Sequence, residues 1–142
     1  MIRALDDRTL VAGQIAAGDM AALAELGVTT IVNNRPDGEE SGQPSGAEIE
    51  AAARAAGLDY RHIPIAGGFS NDQVEAMAAA LDEADGKVLA FCRSGTRSTF
   101  LWALARKAVG GDGEEIIRQA AEAGHDLSPL ASLLRRAGAA PE

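Results

Sequence analysis

Cysteine is almost absent from this chain of 142 residues, and aromatic side chains are few. The only cysteine is Cys92, so no internal disulfide can form, which suits a reducing compartment. Any sulfur atom that Cys92 accepts must pass to an external acceptor, because the chain has no second thiol to resolve it. Since aromatic residues make up 4% of the sequence, valine, isoleucine, leucine and alanine must fill the core.

The chain also lacks a basic excess and any long apolar run. With 21 acidic and 13 basic residues its net charge is −8, which makes nucleic acid and anionic membrane surfaces poor partners. No stretch approaches the length of a membrane span, and the first residues have no signal-peptide core. The two histidines show no metal-ligand spacing. We therefore expect a cytoplasmic protein that uses no metal or cofactor.

Predicted strands and helices alternate along the chain. Apolar and β-branched segments predict strands, and the pairs Ser45 with Glu48 and Ser70 with Gln73 are typical helix caps. The predicted strands are 10–12, 28–33, 58–65 and 87–91, and the predicted helices are 19–26, 45–57, 70–84, 99–109, 114–123 and 129–137. Strands separated by helices require right-handed crossovers. We expect residues 1–142 to form one α/β domain, with a central, mostly parallel sheet of four to five strands flanked by helices.

The segment around Cys92 carries the strongest functional signal. Cys92 follows the predicted strand 87–91 and precedes an apolar helix, with Gly95 in the turn between them. Backbone N–H groups converge in such a turn and the helix start adds unpaired donors, so an anion or a thiolate is stabilised there. We expect Cys92 to be the nucleophile and Arg97 to clamp the anionic group of the substrate. The other loop residues expected to bind substrate are Arg93, Ser94, Gly95, Thr96 and Ser98.

A second group of residues is predicted to lie beside this loop. Ligands of parallel sheets bind beyond the carboxyl ends of the strands, where residues 33–35 and 65–68 also fall. Arg35 opens a long polar loop, 34–44, whose length favours a functional role. We expect Arg35 to help bind the anionic substrate, and an ion pair with Glu39 or Glu40 is the alternative.

Four short motifs together resemble a known family. They are 33–38 (NNRPDG), 43–45 (QPS), 62–64 (HIP) and 92–98 (CRSGTRS), the last followed by Leu101 and Trp102. The combination is similar to the beta-lactamase hydrolase-like protein, phosphatase-like domain family, a bacterial branch of the protein tyrosine and dual-specificity phosphatase fold. The resemblance covers about residues 5–134 and implies that fold. Because the family's domain also occurs fused to sulfide-oxidising or persulfide-oxidising enzymes, it implies a link to sulfur metabolism.

The Cys92 loop is one residue shorter than that of an active tyrosine phosphatase. Four residues separate Cys92 from Arg97, whereas such phosphatases have five, and four is the spacing in rhodanese sulfurtransferases. A phosphoryl group needs donors around three equatorial oxygens, so a shorter loop narrows the ring or misplaces Arg97. The loop therefore favours sulfur transfer, unless Ser98 faces inward and Arg97 bends in to compensate.

The general acid of the phosphatase family has no counterpart at its usual place. Dual-specificity phosphatases carry an aspartate where this chain has residues 66–68, the sequence Ala-Gly-Gly. Two aspartates elsewhere are possible acids. Asp72 falls in the first turn of a predicted helix, where a carboxylate is ordinarily a cap. Asp37 lies in the long loop with Glu39 and Glu40, which could also reach the site.

Three functions are consistent with these residues, each acting on a small anion. The favoured one is a rhodanese-like sulfurtransferase, in which Cys92 takes sulfur from thiosulfate or a persulfide and passes it to a thiol such as glutathione. The first alternative is a tyrosine or dual-specificity type phosphatase with a cysteinyl-phosphate intermediate. The second alternative is an anion-binding module without chemistry.

Overall fold

The protein is described by a computed structural model, which places residues 2–136. Five strands form one sheet in the order β1-β2-β5-β3-β4, in which β1 is antiparallel to β2 and the other pairs are parallel. The strands are β1 (Arg3–Ala4), β2 (Thr9–Ala12), β3 (Val28–Asn33), β4 (Asp59–His62) and β5 (Lys87–Phe91). The expected α/β fold with a mostly parallel sheet is confirmed.

Helices cover both faces of this sheet. They are α1 (Met20–Glu25), α2 (Gly46–Ala55), α3 (Asn71–Glu83), α4 (Thr96–Ala108), α5 (Gly113–Glu122) and α6 (Ala131–Leu134), with 3-10 turns at Ala17–Asp19 and Ser128–Leu130. Side chains predicted as caps do cap: Ser45 Oγ accepts from the Glu48 N–H, and Ser70 and Gln73 form a reciprocal capping box.

The sheet separates two apolar clusters. One packs the inner faces of α3, α4 and α5 against β5 and contains Met77, Leu101 and Trp102. The other packs α1 and α2 against the opposite face and contains Leu23 and Ile49. Aliphatic residues dominate both clusters, as the low aromatic content requires. Burial on both faces holds β5, the strand that leads into Cys92, in the centre of the molecule.

Three element boundaries differ from the sequence-based expectations. The strand expected over 58–65 has regular strand geometry only at Asp59–His62, although beyond it the N–H groups of Ile63 and Ile65 still donate to the carbonyl oxygens of Asn33 and Asn34. The helix expected from residue 99 begins at Thr96, directly after Gly95. The last expected helix, 129–137, is a 3-10 turn followed by α6, and its residue 137 lies outside the described part.

Between residues 2 and 136 we find no helix with both the length and the apolar character that crossing a membrane demands.

Candidate active site

The carboxyl ends of four neighbouring strands lie in register. Phe91 pairs with Ala12 on one side and with Asn33 on the other, and Asn33 pairs with His62. Each is the last residue of its strand. The segments that follow these residues therefore leave the sheet at one edge, which is where parallel sheets bind ligands. Cys92 is the first residue beyond this edge.

The turn after Cys92 directs backbone donors at its sulfur. The Cys92 side chain is buried, and its Sγ accepts a hydrogen bond from the Gly95 N–H at 3.1 Å. Gly95 has a φ of +92°, a left-handed conformation that glycine adopts without strain, and it caps the start of α4. Gly13 lies against the same turn, since a Cβ at that position would stand 2.9 Å from the Arg93 carbonyl oxygen.

Arg97 lies on the first turn of α4 and reaches back over the loop. Its Nη1 donates to Glu39 Oε2 at 2.7 Å and to the Ile65 carbonyl oxygen at 2.8 Å. Its Nη2 donates to Glu39 Oε1 at 2.9 Å, so the ion pair is bidentate. The hydrogen bonds that Arg97 donates to Glu39, followed by the charge of Cys92, raise the pKa of Arg97. Arg97 therefore connects the nucleophile with the long loop 34–44.

The geometry of this ion pair leaves one edge of the guanidinium available. A guanidinium has five N–H donors in a fixed plane. Glu39 and Ile65 accept three of them, through Nη1 and the end of Nη2. The Nε–H and the second Nη2–H form a parallel fork on the other edge, and no residue among 2–136 other than Cys92 is a partner for it. Such a fork matches two oxygens of a phosphoryl or sulfonyl group.

Glu39 is the carboxylate at the centre of this arrangement. The hydrogen bond from Arg97, and after it the one from Arg35, lower the pKa of Glu39 to about 2. Both arginines donate to Glu39 Oε1, at 2.8 Å from Arg35 Nε and 2.9 Å from Arg97 Nη2. Glu39 is thus an anion at neutral pH, held between two cations. That state suits an acceptor that orients Arg97, and is the opposite of what a proton donor needs.

Arg35 is enclosed by the protein. Its side chain is 3% exposed, and its three nitrogens each have an acceptor: Nε on Glu39 Oε1, Nη1 on Gln14 Oε1 and Nη2 on Glu40 Oε1. Because so little of this side chain is exposed, direct contact with a substrate would require the residues around Arg35 to move. Arg35 instead fixes Glu39, and through it Arg97. Its predicted role in substrate binding stays a prediction.

The loop residues Arg93, Ser94 and Thr96 have exposed side chains. Arg93 Nη2 lies 3.2 Å from Glu40 Oε2, and its side chain is 67% exposed. Ser94 Oγ donates to Thr96 Oγ1 at 3.2 Å. These three side chains lie on the outer side of the turn, where they can meet a substrate's leaving group or a neighbouring ligand.

Ser98 faces inward, toward Asn34 rather than toward the sulfur. Ser98 is fully buried, and its Oγ donates to Asn34 Oδ1 at 2.7 Å. Asn34 Nδ2 in turn donates to the Ile63 carbonyl oxygen at 3.0 Å. This chain of hydrogen bonds ties the helix after Cys92 to the segments after β3 and β4. Ser98 therefore helps to fix the position of the Cys92 loop through Asn34 rather than through contact with the sulfur.

Both predicted acids lie in cap positions. Asp72 is exposed in the first turn of α3. Asp37 Oδ1 accepts from the Gly46 N–H at 2.6 Å, at the first residue of α2. The loop at residues 66–68, where the related phosphatases carry their acid, is exposed and holds no carboxylate. The role of Asp72 or Asp37 as an acid stays a prediction.

Sequence reasoning missed the partnership of Glu39 with Arg97. The two residues are 58 positions apart, and Glu39 was considered only as an acid that might reach the site or as an ion-pair partner of Arg35. It also missed the role of Asn33 and Asn34, whose side chains bond to Tyr60 Oη and to the Ile63 carbonyl. Two adjacent asparagines at the end of a predicted buried strand were the available signal, because buried amides need partners.

A family model for the beta-lactamase hydrolase-like protein, phosphatase-like domain, matches residues 1–109. The chain belongs to this family. Among the curated beta-lactamase hydrolase-like proteins, one from Agrobacterium fabrum is 38% identical over 107 residues, which is 75% of this chain and 25% of the relative. One from Xylella fastidiosa is 34% identical over 134 residues, 93% of this chain and 31% of the relative. The chain thus spans about a quarter to a third of the length of these relatives.

Solved structures agree with this assignment. A candidate phosphatase from Neisseria meningitidis is 36% identical, with a TM-score of 0.80 over 94% of this chain and 95% of its own. Tk-PTP in its active form, 19% identical, has a TM-score of 0.69 and is covered over 92%. Pseudomonas aeruginosa TpbA (C132S) in complex with pTyr, 19% identical, has a TM-score of 0.62 and is covered over 91%, with 99% of this chain aligned. The fold of this phosphatase-like domain is that of the protein tyrosine phosphatases, as the resemblance implied.

Proposed function

We propose that this domain is a cysteine-dependent phosphatase that hydrolyses phosphomonoesters through a cysteinyl-phosphate on Cys92. This was the first alternative at the level of the sequence, where the shorter loop favoured sulfur transfer. The comparisons support the phosphatase alternative and give no support to a sulfurtransferase. The site geometry supports it too, for the reasons given next.

The observation that carries the proposal is the open fork of Arg97 beside Cys92. A short loop was expected to misplace the arginine, but Glu39 and the Ile65 carbonyl hold it over the loop by its far edge. The Nε–H and the second Nη2–H are the donors left for a phosphoryl group on Sγ, which is near enough for the charge of Cys92 to raise the pKa of Arg97. This arrangement supports the compensation by Arg97 that the sequence left open. A clamp of this kind stabilises the charge on the equatorial oxygens in the transition state.

The reaction has two steps. In the first, the Cys92 thiolate attacks phosphorus, the S–P bond forms, the ester P–O bond breaks, and the alcohol or phenol leaves with the bonding electron pair. In the second, water attacks phosphorus, the new P–O bond forms and the S–P bond breaks, which releases inorganic phosphate and restores the thiolate. Arg97 and the loop N–H groups bind the same oxygens throughout, so each step gains from them.

The substrate class follows from this chemistry. A neighbour with the same fold, TpbA, has been solved with phosphotyrosine, which supports an aryl phosphate as a substrate class for this domain. The leaving group must be good, because the loop at residues 66–68 offers no carboxylate to protonate it. Phenols leave more readily than alkyl alcohols, so we propose aryl phosphates as the preferred substrates.

Sulfur transfer remains as a second candidate because of one observation, the four-residue spacing between Cys92 and Arg97. In that reaction Cys92 attacks the sulfane sulfur of thiosulfate, the S–S bond breaks, and sulfite leaves. The resulting persulfide then passes its outer sulfur to cyanide or to a thiol such as glutathione. No leaving-group proton is needed, which suits a site without an acid.

A paired assay on one preparation distinguishes the two reactions. The same protein is offered para-nitrophenyl phosphate and, separately, thiosulfate with cyanide, and mass spectrometry of the intact chain identifies the adduct on Cys92. We expect turnover of the aryl phosphate and a phosphate adduct on rapid quenching. The Cys92→Ser variant is the control for both assays.

Two results would contradict the proposal. Sulfur transfer with a persulfide adduct and negligible phosphatase activity would establish the sulfurtransferase in its place. Tight binding of inorganic phosphate without any turnover of either substrate would establish the anion-binding module.

A further inference from the structure

A cavity adjoins the Cys92 loop and is lined by neither Cys92 nor Arg97. It has a volume of about 390 Å³, within the range of small-molecule sites. Its floor is the end of β2 with Gly13, and its walls are the outer side of the loop and the turn after α5. The residues that line it include Arg3, Arg93, Ser94 and His125.

The cavity is cationic in an acidic protein. Its lining contains two arginines and one histidine but no aspartate or glutamate, although acidic residues outnumber basic ones by 21 to 13 in the chain. Within residues 2–136, no carboxylate pairs with Arg3, and the imidazole nitrogens of His125 have no hydrogen-bond partner. Arg93 is paired with Glu40, which does not line the cavity, so Arg3 and His125 are the donors that remain to attract an anion.

The position of His125 is fixed by the end of α5. Gly124, with a φ of +90°, terminates the helix, and the His125 N–H donates to the Ala120 carbonyl oxygen at 2.8 Å. This turn brings the imidazole against the Cys92 loop: its Cε1 lies 3.5 Å from where a Cβ on Gly95 would stand. Burial, and then the charge of Arg3, lower the pKa of His125, so that at neutral pH it is a neutral N–H donor beside a guanidinium.

The cavity and the catalytic loop share residues. Arg93 and Ser94 line the cavity, and they are the two residues that follow Cys92. Their α-carbons lie within roughly 8 Å of that of Cys92, because consecutive α-carbons are about 3.8 Å apart. A compact molecule with one phosphoryl group on Sγ can therefore place a second group in the cavity.

We infer that this cavity is a second anion subsite of the active site, which binds another anionic group of the same substrate through Arg3 and His125. This inference rests on the proposed phosphatase function and narrows its substrate class to phosphomonoesters that carry a second phosphate, phosphonate or carboxylate. Arg3, on β1, contributes a guanidinium that takes no part in the phosphoryl transfer itself. A change at Arg3 can therefore alter the preference for doubly anionic substrates without altering the phosphoryl transfer step.

The test compares substrates that differ only in the second group. Para-nitrophenyl phosphate is the single-anion reference, and nitrophenyl phosphates with a phosphonate on tethers of graded length are the doubly anionic probes. The same tethers ending in a neutral amide are the control for added bulk. We expect one tether length to raise kcat/KM about fivefold or more over its amide counterpart.

Variants assign this preference to the cavity. Arg3→Ala should remove the preference and leave turnover of para-nitrophenyl phosphate unchanged, and His125→Gln, which keeps an N–H donor, should retain most of it. Arg118→Ala is the control, since it removes another exposed arginine, on α5, that does not line the cavity. Equal preference in the wild type and in Arg3→Ala would overturn the inference.

A binding measurement separates this inference from the proposed function. Calorimetric titration of Cys92→Ser with the best phosphonate probe requires no turnover. If the Cys92→Ser protein binds the probe more weakly when Arg3→Ala is added, the subsite is supported whether or not the protein has phosphatase activity. If it has no such activity, only the proposed function fails. The contrary outcome is that inorganic phosphate inhibits the wild type noncompetitively and loses this effect in Arg3→Ala. That result would show that the cavity binds a separate ion, and it would overturn the assignment of the cavity to a second group of the substrate.

Discussion

Glu39 holds Arg97 by the far edge of its guanidinium, with oxygens 2.7 and 2.9 Å from Nη1 and Nη2. The contact joins the loop after β3 to the first turn of α4 and leaves the Nε edge beside Cys92. An arginine on a mobile side chain would lose rotamer freedom on binding each substrate. Arg97 is already held by the Glu39 carboxylate and the Ile65 carbonyl, so it loses little rotamer freedom when an oxyanion binds. The site is therefore preorganised for an oxyanion.

Replacing Cys92 by serine should abolish turnover and leave the fold intact. The change removes the nucleophile and alters the side chain by one atom. We expect kcat to fall by roughly 1,000-fold or more with an unchanged unfolding midpoint, measured by initial rates and thermal denaturation. Retention of most activity would show that the buried thiol is structural.

The two loop arginines should differ in importance. Arg97→Ala should lower kcat/KM by about 100-fold or more, since it removes the clamp on the transition state. Arg93→Ala should cost less than about tenfold toward para-nitrophenyl phosphate, because its side chain is 67% exposed and points to Glu40. Arg97→Lys should not rescue, as lysine lacks the planar fork. A larger loss for Arg93→Ala would reverse the assignment.

Replacing Glu39 by glutamine tests the positioning of Arg97. The neutral amide keeps the size of the side chain but weakens both ion pairs, so kcat should fall by about tenfold with a smaller change in KM. Glu25→Gln, at an exposed glutamate at the end of α1, is the control. A rise in activity would mean that Glu39 occupies the place of the substrate and inhibits the site.

Glu39 should also make stability depend on pH. Its pKa is lowered from 4.5 to about 2 in the folded chain, so its ion pairs contribute stability above pH 4.5 that is lost as the pH falls toward about 2. The free energy of unfolding of the wild type should therefore approach that of Glu39→Gln over this range. Denaturant titrations at a series of pH values measure the difference. A constant difference would show that the carboxylate charge does not stabilise the fold.

Arg35→Ala should destabilise the domain by about 2 to 3 kcal/mol, because it leaves Glu39 and Glu40 without a buried cation. Arg35→Lys should recover only part of this loss, since one ammonium cannot serve the three acceptors. Chemical denaturation measures both variants. Full stability of Arg35→Ala combined with a raised KM would instead support direct substrate binding by Arg35.

Because no general acid protonates the leaving group, the rate should depend steeply on the pKa of the leaving group. Activated aryl phosphates should react fastest, phosphotyrosine peptides far more slowly, and phosphoserine peptides, whose leaving group is an alkyl alcohol, slowest of all. Gly67→Asp should raise the peptide rate, since a Cβ at Gly67 meets no atom within 4 Å. A flat dependence in the wild type, with a large loss in Asp72→Asn or Asp37→Asn, would identify a carboxylate that delivers the proton.

Much of the fold was predictable because its signals are local. The strands at Val28–Asn33 and Lys87–Phe91 were placed at their observed ends, since a buried parallel strand is a continuous apolar run. The caps at Ser45 and Ser70 depend on residues three positions away. The strand β1 was missed because two exposed residues carry no periodic pattern, and its pairing depends on Val11 and Leu10.

The sequence by itself determined the position of Cys92 between a strand and a helix, the glycine turn and the family, because all three depend on residues adjacent in the chain or on their order. Only the tertiary structure decided which edge of Arg97 is free and that Arg35 is enclosed. Those outcomes depend on contacts between Glu39 and Arg97 and between Ser98 and Asn34, which are 58 and 64 positions apart. Such contacts exist because β3 and β5 pair in register, so that the loops after Asn33 and Phe91 leave the sheet side by side. A loop's own residues do not encode that proximity, since it results from the packing of the whole sheet.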